Sequence, residues 1–63
     1  MKPFSKVKLI TDRYVNQGAK QFDIGYIIES YGSSKYEVEF ADPKTGIDFA
    51  MIVVAEEELE EVK

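Results

Sequence analysis

The segment from Lys35 to Phe40 restricts the fold more than any other part of the chain, because polar and apolar residues alternate through it without a break. Tyr36, Val38 and Phe40 fall on one side of an extended chain and Glu37 and Glu39 on the other. This period of two predicts a half-buried β-strand. No stretch of about ten residues sustains a helical period, although the acidic tail leaves a short helix open as an alternative.

Four further segments have strand character. The first alternates lysines with an inward Val7 and Leu9, and the second is β-branched and aromatic, with Gly25 near its start marking a bend or a close approach. The last is short and can pair beside the first. In chain order these predicted strands cover residues 6–10, 24–29, 47–54 and 60–62.

The fourth predicted strand carries apolar residues on both faces. One face holds Ile47, Phe49, Met51 and Val53, and the other holds Asp48, Ala50, Ile52 and Val54. The second face is polar at its start and apolar at its end, which indicates a strand that bends over the core.

The connections between the strands differ in length. Residues 11–22 form a long loop with a turn at Asn16-Gln17-Gly18, whereas residues 31–34 and 42–46 have the composition of tight hairpin turns. Residues 55–59 suit a single 3-10 turn that directs Leu59 inward and leaves the acidic side chains in water. The whole chain, residues 1–63, is therefore predicted to be one all-β domain, a small five-stranded SH3-like antiparallel barrel.

The composition excludes several classes of function but does not identify one. The chain of 63 residues contains no Cys and no His, which excludes disulfides, the usual zinc sites, cysteine nucleophiles and histidine general bases. We expect no cofactor, no bound metal and no enzymatic activity. The longest uncharged apolar run, residues 49–55, is far shorter than the roughly 20 residues of a membrane span, and the N-terminus lacks a signal sequence. We expect a cytoplasmic protein without a membrane partner.

Charge is distributed unevenly along the chain. The net charge is −4, but residues 1–20 carry +4 and residues 21–63 carry −8. One interpretation is that Lys6 and Lys8 pair with Glu60 and Glu61 across neighbouring strands. The other is an acidic surface that steers a basic partner. Both can hold at once.

Asp23-Ile24-Gly25, followed by Tyr36-Glu37-Val38-Glu39-Phe40 and a closing Glu-x-Leu, resembles a family of small bacterial SH3-like barrel domains of unknown function. The resemblance runs from about Val7 to Leu59. It implies the barrel fold and, for function, only a tendency of such genes to lie beside toxin genes. Phe22 and Tyr26 depart from the family pattern, which suggests a binding surface around the bend that is specific to this protein.

Carboxylates are the remaining candidates for chemistry. Glu37 and Glu39 would lie about 7 Å apart on one strand face, but no enclosed cleft is predicted around them, and the ordinary interpretation is a solvated surface. The acidic tail, residues 56–61, lacks the spacing of a calcium loop.

The tyrosines are candidates for binding, because tyrosine is enriched at interface hot spots. We expect Tyr36 in the core and Tyr26 on the surface. For Tyr14 and Tyr31, loop packing and a surface role are equal alternatives.

The sequence thus predicts a protein-binding module, a small acidic immunity or antitoxin-type inhibitor of a bacterial toxin such as a nuclease with a basic cleft. The predicted contacts are Glu37, Glu39, Asp48, Tyr26 and Tyr31. One alternative is RNA binding through a KOW-like surface at the basic N-terminal third, although the acidic net charge makes nucleic acid a poor partner. Another is a structural subunit of a larger complex. The chain is expected to be a monomer or a weak dimer formed through open strand edges.

Overall fold

A computed structural model describes residues 2–62 of the chain. The strands are β1 (Lys6–Leu9), β2 (Ile24–Ser30), β3 (Lys35–Ala41), β4 (Asp48–Ala55) and β5 (Leu59–Glu61), with 3-10 turns at Val15–Gln17 and Glu56–Glu58. All ladders are antiparallel, and the strands follow one another in the order β4-β3-β2-β1-β5. The all-β prediction is confirmed. No helix in this part of the chain is long and apolar enough to cross a membrane.

The sheet is open in the described part of the chain, because no ladder joins β4 to β5. The five predicted strands and the turn before the last one are present. The closed barrel is not confirmed.

The core lies on the face that the alternation in β3 predicts. Tyr36, Val38 and Phe40 are buried there, and Val7 and Leu9 of β1 are fully buried beside them. The 3-10 turn also directs Leu59 inward as expected. Apolar side chains at every second position of these strands therefore form a core on one face of the sheet.

Gly25 of β2 lies in close contact with β3. A Cβ atom at this position would lie 2.7 Å from Val38 Cγ1, 2.8 Å from the Glu39 carbonyl oxygen and 2.9 Å from Phe40 Cδ1. These distances are below van der Waals contact, so a side chain cannot be accommodated without moving the backbone. The close approach expected for this glycine is confirmed.

A bulge in β4 changes the faces that the sequence predicts. Ala50 pairs with Phe40 and Asp48 pairs with Ala41, so Phe49 is the extra residue. The Phe49 ring stacks on the buried Phe40 ring, with centroids 6.5 Å apart. The predicted grouping of Phe49 with Met51, and of Asp48 with Ile52, is therefore wrong, because the extra residue exchanges the faces at the start of the strand.

The long loop between β1 and β2 is held down by Glu58, the last residue of the second 3-10 turn. The Tyr14 hydroxyl donates to Glu58 Oε1 at 2.6 Å, Arg13 Nη1 donates to Oε2 at 2.9 Å, and the Ala55 backbone N–H donates to Oε1 at 3.1 Å. Glu58 is 8% exposed and Tyr14 is 7% exposed. The expectation that all the acidic side chains of this turn lie in water is wrong for Glu58. Of the two alternatives for Tyr14, loop packing and a surface role, the structure shows loop packing.

The pKa of Glu58 reflects opposing effects. Burial raises it, but hydrogen bonds from Tyr14 and Ala55 and the nearby Arg13 charge outweigh the burial, so the pKa is lowered from 4.5. A carboxyl group with a lowered pKa in the folded state stabilises the fold above its unfolded pKa. This contribution is lost as the pH falls through the folded pKa.

We expect Gly25→Ala to lower the free energy of unfolding by about 3 kcal/mol, because the added methyl group meets backbone and core atoms on three sides. Gly32→Ala is the control. Its φ is +72° and no atom lies within 4 Å of the added methyl group, so only the left-handed backbone is strained, at about 1 kcal/mol. Urea unfolding of both variants measures the difference. Equal stabilities would contradict the close approach at Gly25.

We expect Glu58→Gln to lower the free energy of unfolding at pH 7 by about 1–3 kcal/mol, because a buried charged acceptor is lost. The difference from the wild type should shrink as the pH falls from about 4.5 through the lower pKa of the folded state, since the unfolded wild-type chain then binds the proton more readily than the folded one. Denaturant unfolding at several pH values measures this. Glu57→Gln, at an exposed neighbour, is the control and should unfold like the wild type at every pH. A pH-independent difference for Glu58→Gln would refute the assignment.

Candidate functional site

Three neighbouring strands place acidic, aromatic and apolar side chains on the side of the sheet away from the core. Tyr26 lies opposite Glu39, which lies opposite Met51, and Glu37 lies opposite Val53. Directly paired residues of antiparallel strands project to the same face. We call this surface the outer face, formed by Tyr26, Glu37, Glu39, Asp48, Met51 and Val53.

Tyr31 joins the outer face from the hairpin between β2 and β3. Its hydroxyl donates a hydrogen bond to Glu37 Oε1. This bond is the largest cause that raises the pKa of Tyr31 from 10.0 to about 12. Glu29 lies opposite Glu37 on β2, which concentrates negative charge at this end of the face. Tyr31 remains half exposed, so its ring is available to a partner.

Glu39 and Asp48 form a second acidic pair at the other end of the outer face. The pKa of Glu39 is raised, first by partial burial and then by the negative charge of Asp48, which can also accept a hydrogen bond from Glu39 when Glu39 is protonated. The bulge at Phe49 creates this pair, because it moves Asp48 to the same face as Glu39. A cation brought to this position would relieve the repulsion.

The structure brings all five sequence-predicted contacts to one surface. Tyr26 and Glu39 are cross-strand partners, Tyr31 is bonded to Glu37, and Asp48 interacts with Glu39. The exposure expected for Tyr26 is confirmed, at 41%.

Met51 and Val53 belong to the outer face but were not among the predicted contacts. They are 56% and 49% exposed, which is high for apolar side chains in the middle of a strand. The alternation in β4 shows that Met51 and Val53 share a face. Both faces of that strand are apolar, however, so the pattern alone does not say which face is exposed.

Two surface hollows flank the turn between β3 and β4. The smaller, of about 210 Å³, lies beside the outer face and is lined in part by Tyr26, Lys6 and Pro43. The larger, of about 440 Å³, lies on the other side of Pro43 and includes Lys20, Asp23 and Asp42. The smaller hollow can receive a side chain of a partner that contacts Tyr26.

The cations of the N-terminal third are partly neutralised. Lys8 Nζ lies 3.6 Å from Glu60 Oε1, and Arg13 is held by Glu58 at 2.9 Å. The predicted pairing of Lys8 with Glu60 is confirmed, whereas Glu61 lies opposite Val7 rather than Lys6. The free positive charge is therefore smaller than the sequence count indicates.

The chemistry available to the outer face is that of exposed carboxylates and aromatic surface. Within residues 2–62, no three acidic side chains are grouped so that they could hold a metal ion. Carboxylates that accept hydrogen bonds, beside apolar side chains, are suited to contacts with basic groups of another molecule.

No family model, no curated protein and no solved structure matches this chain. The resemblance to a bacterial SH3-like family therefore stays a prediction, and the functional argument relies on the site.

We expect Asp48→Asn to lower the pKa of the Glu39 carboxyl group, because it removes the neighbouring negative charge. The pKa should remain above 4.5, since burial is the larger cause of the shift. A titration of the side-chain carboxyl carbons by NMR measures both values. Glu57→Gln is the control and should leave Glu39 unchanged. An unchanged pKa in Asp48→Asn would show that the two groups do not interact.

Proposed function

We propose that this chain is a non-enzymatic protein-binding module and that its outer face binds a basic surface of another protein. The observation that carries the proposal is the convergence of Glu37, Glu39 and Asp48 with exposed aromatic and apolar side chains on one face. Tyr26 and Tyr31 act as anchors, because tyrosine buries a large area at a small cost in entropy. The carboxylates accelerate encounter and select the charge of the partner.

The partner class we propose first is a bacterial toxin with a basic nucleic-acid cleft, which the chain would block as an immunity-type inhibitor in the cytoplasm. Such a cleft offers clustered Lys and Arg side chains, which can pair with Glu37, Glu39 and Asp48. Lys6 lies opposite Tyr26 on the same side of the sheet, at the margin of this acidic group. The open five-stranded sheet then serves as a rigid SH3-like support for the face. RNA binding receives less support, since Arg13 and Lys8 are already paired with carboxylates.

The test compares two variants with the same change in net charge. Glu37→Lys combined with Glu39→Lys reverses the outer face. Glu57→Lys combined with Glu61→Lys is the control, since both residues are exposed and lie outside that face. Each tagged protein is used to capture partners from its native host, and the captured protein is then identified and purified.

We expect the outer-face variant to bind the purified partner at least about tenfold more weakly than the wild type, because like charges now oppose each other. The control should bind like the wild type. Binding by the wild type should weaken as salt is raised. Equal loss in both variants, or an acidic partner, would contradict the proposal.

The toxin class has its own readout. Expression of the captured protein alone should arrest growth, and coexpression with this chain should restore it. Coexpression with the outer-face variant should not. Unimpaired growth when the partner is expressed alone would exclude the toxin class while leaving the protein-binding proposal to the affinity measurements.

A further inference from the structure

β4 forms one edge of the sheet, and its outward backbone groups are open to another strand. In the described part of the chain it pairs with β3 alone. A strand at a sheet edge presents unpaired N–H and C=O groups to whatever approaches it. Their positions follow from the ladder.

Hydrogen-bonded pairs alternate with non-bonded pairs in an antiparallel ladder. The Glu56 N–H donates to the Ser34 carbonyl at 2.8 Å, which places the bonded pairs at Tyr36–Val54 and Val38–Ile52. The N–H and C=O groups of Met51 and Val53 therefore point away from β3. No backbone hydrogen bond outside the ladders involves Met51 or Val53 among residues 2–62.

Ala55 supports this assignment. It follows Val53 by two residues, so its N–H is also directed away from β3, and that N–H donates to the carboxylate of Glu58. The structure thus caps one outward donor of β4 with a side chain and leaves those of Met51 and Val53 open.

The two edges of the sheet are protected to different degrees. β5, at the far edge, has three residues, and Glu60 and Glu61 are charged. Short length and charge are the usual means of preventing edge pairing. β4 has eight residues, and after Asp48 it contains no charge and no proline. Its edge is therefore the more receptive one.

We propose that β4 binds an extended segment of a protein partner by antiparallel strand addition, and that this segment carries basic residues at alternate positions. The inference rests on the proposed function and specifies how the outer face engages its partner. Residues placed opposite Met51 and Val53 would project on the outer face. A Lys or Arg there can lay its aliphatic stem on Met51 or Val53 and extend its charge toward Glu37 or Glu39.

Charge complementarity favours this occupant over a second copy of the chain. Pairing of β4 with β4 from another copy would bring Met51 and Val53 together, but it would supply no cation to Glu37 and Glu39 of either copy. These carboxylates would remain without a counter-charge in a dimer whose subunits each carry −4. Dimerisation through β4 would therefore overturn the proposal.

The probe is a peptide of about nine residues that alternates Lys and Val, long enough to span the open part of β4. Two controls match its length, one with Glu in place of each Lys and one with the same composition but all Lys residues contiguous. We expect the alternating basic peptide to bind, and the Glu peptide not to bind. The contiguous peptide should bind at least about tenfold more weakly, because its cations cannot all project to one face.

N-methylation of the peptide backbone tests the hydrogen bonds directly. In an antiparallel pairing the N–H groups of the Lys residues face β4, and those of the Val residues face solvent. Methylation of the central Lys N–H should weaken binding about tenfold, since a hydrogen bond is lost and the methyl group blocks approach. Methylation of the central Val N–H should have little effect. Equal effects at both positions would refute strand addition.

Amide hydrogen exchange gives a readout in the unmodified protein. The amides of Met51 and Val53 should exchange rapidly in the free chain and become protected by the peptide, whereas those of Ile52 and Val54 should be slow in both states. Protection of Met51 and Val53 without peptide, together with a dimer in sedimentation experiments, would show that a second copy occupies the edge and would overturn the proposal.

A protein variant separates this inference from the proposed function. Met51→Pro removes an outward N–H that the ladder with β3 does not use, and it should abolish peptide binding without unfolding the chain. Its stability is checked by urea unfolding, and the N-methylated peptides decide the question if it does not fold. If Met51→Pro binds the protein partner normally while the reversal of Glu37 and Glu39 does not, the outer-face proposal stands and strand addition is wrong.

Discussion

The packing of Val38 and Phe40 over Gly25 is the contact on which the rest of the structure depends. Without a side chain at Gly25, the Phe40 ring can pack over this position of β2, where it is fully buried, and Phe49 stacks on Phe40. The neighbours of these core residues along β3, Glu37 and Glu39, are then directed outward because successive residues of a strand alternate between faces. The close approach thus fixes both the core and the acidic surface.

Glu58 performs a different task at the opposite end of the sheet. A chain of this size buries little surface and has a correspondingly small core, and it holds its longest loop in place with one carboxylate that accepts three hydrogen bonds. Arg13 and Tyr14 reach this carboxylate from the loop, and Ala55 reaches it from the end of β4. The cluster also pairs a cation of the N-terminal third, Arg13, with a carboxylate.

The outer face combines two features that monomeric proteins usually keep apart. It has carboxylates that repel one another, at Glu39 and Asp48, and apolar side chains that stay in water, at Met51 and Val53. A basic, extended partner would relieve both at once. The open edge of β4 adds backbone groups that point outward in the plane of the sheet, beside this surface, and so one extended partner can contact both the charge and the edge.

Much of the fold could be predicted from the sequence, since alternation with period two reports directly on which residues share a face. It located β1, β2 and β3 to within one residue at their ends, identified the turn before β5, and placed Leu59 and Tyr36 in the core. It also selected five residues that the fold gathers on one surface. The edge position of β4 and the missing ladder to β5 could not be read in this way, because strand pairing depends on the whole sheet.

The sequence by itself determined the strands, their inward residues and the uneven charge, because these follow from local periodicity and composition. Only the tertiary structure decided the face of Asp48, the burial of Glu58 and the exposure of Met51 and Val53. Each of these depends on parts of the structure far away in the chain. They are the register of β4 against β3, the loop residues Arg13 and Tyr14, and the pairing of β4 with β3 alone within residues 2–62. Such long-range contacts do not change the hydrophobic periodicity of the segment that they affect, so they cannot be predicted from it.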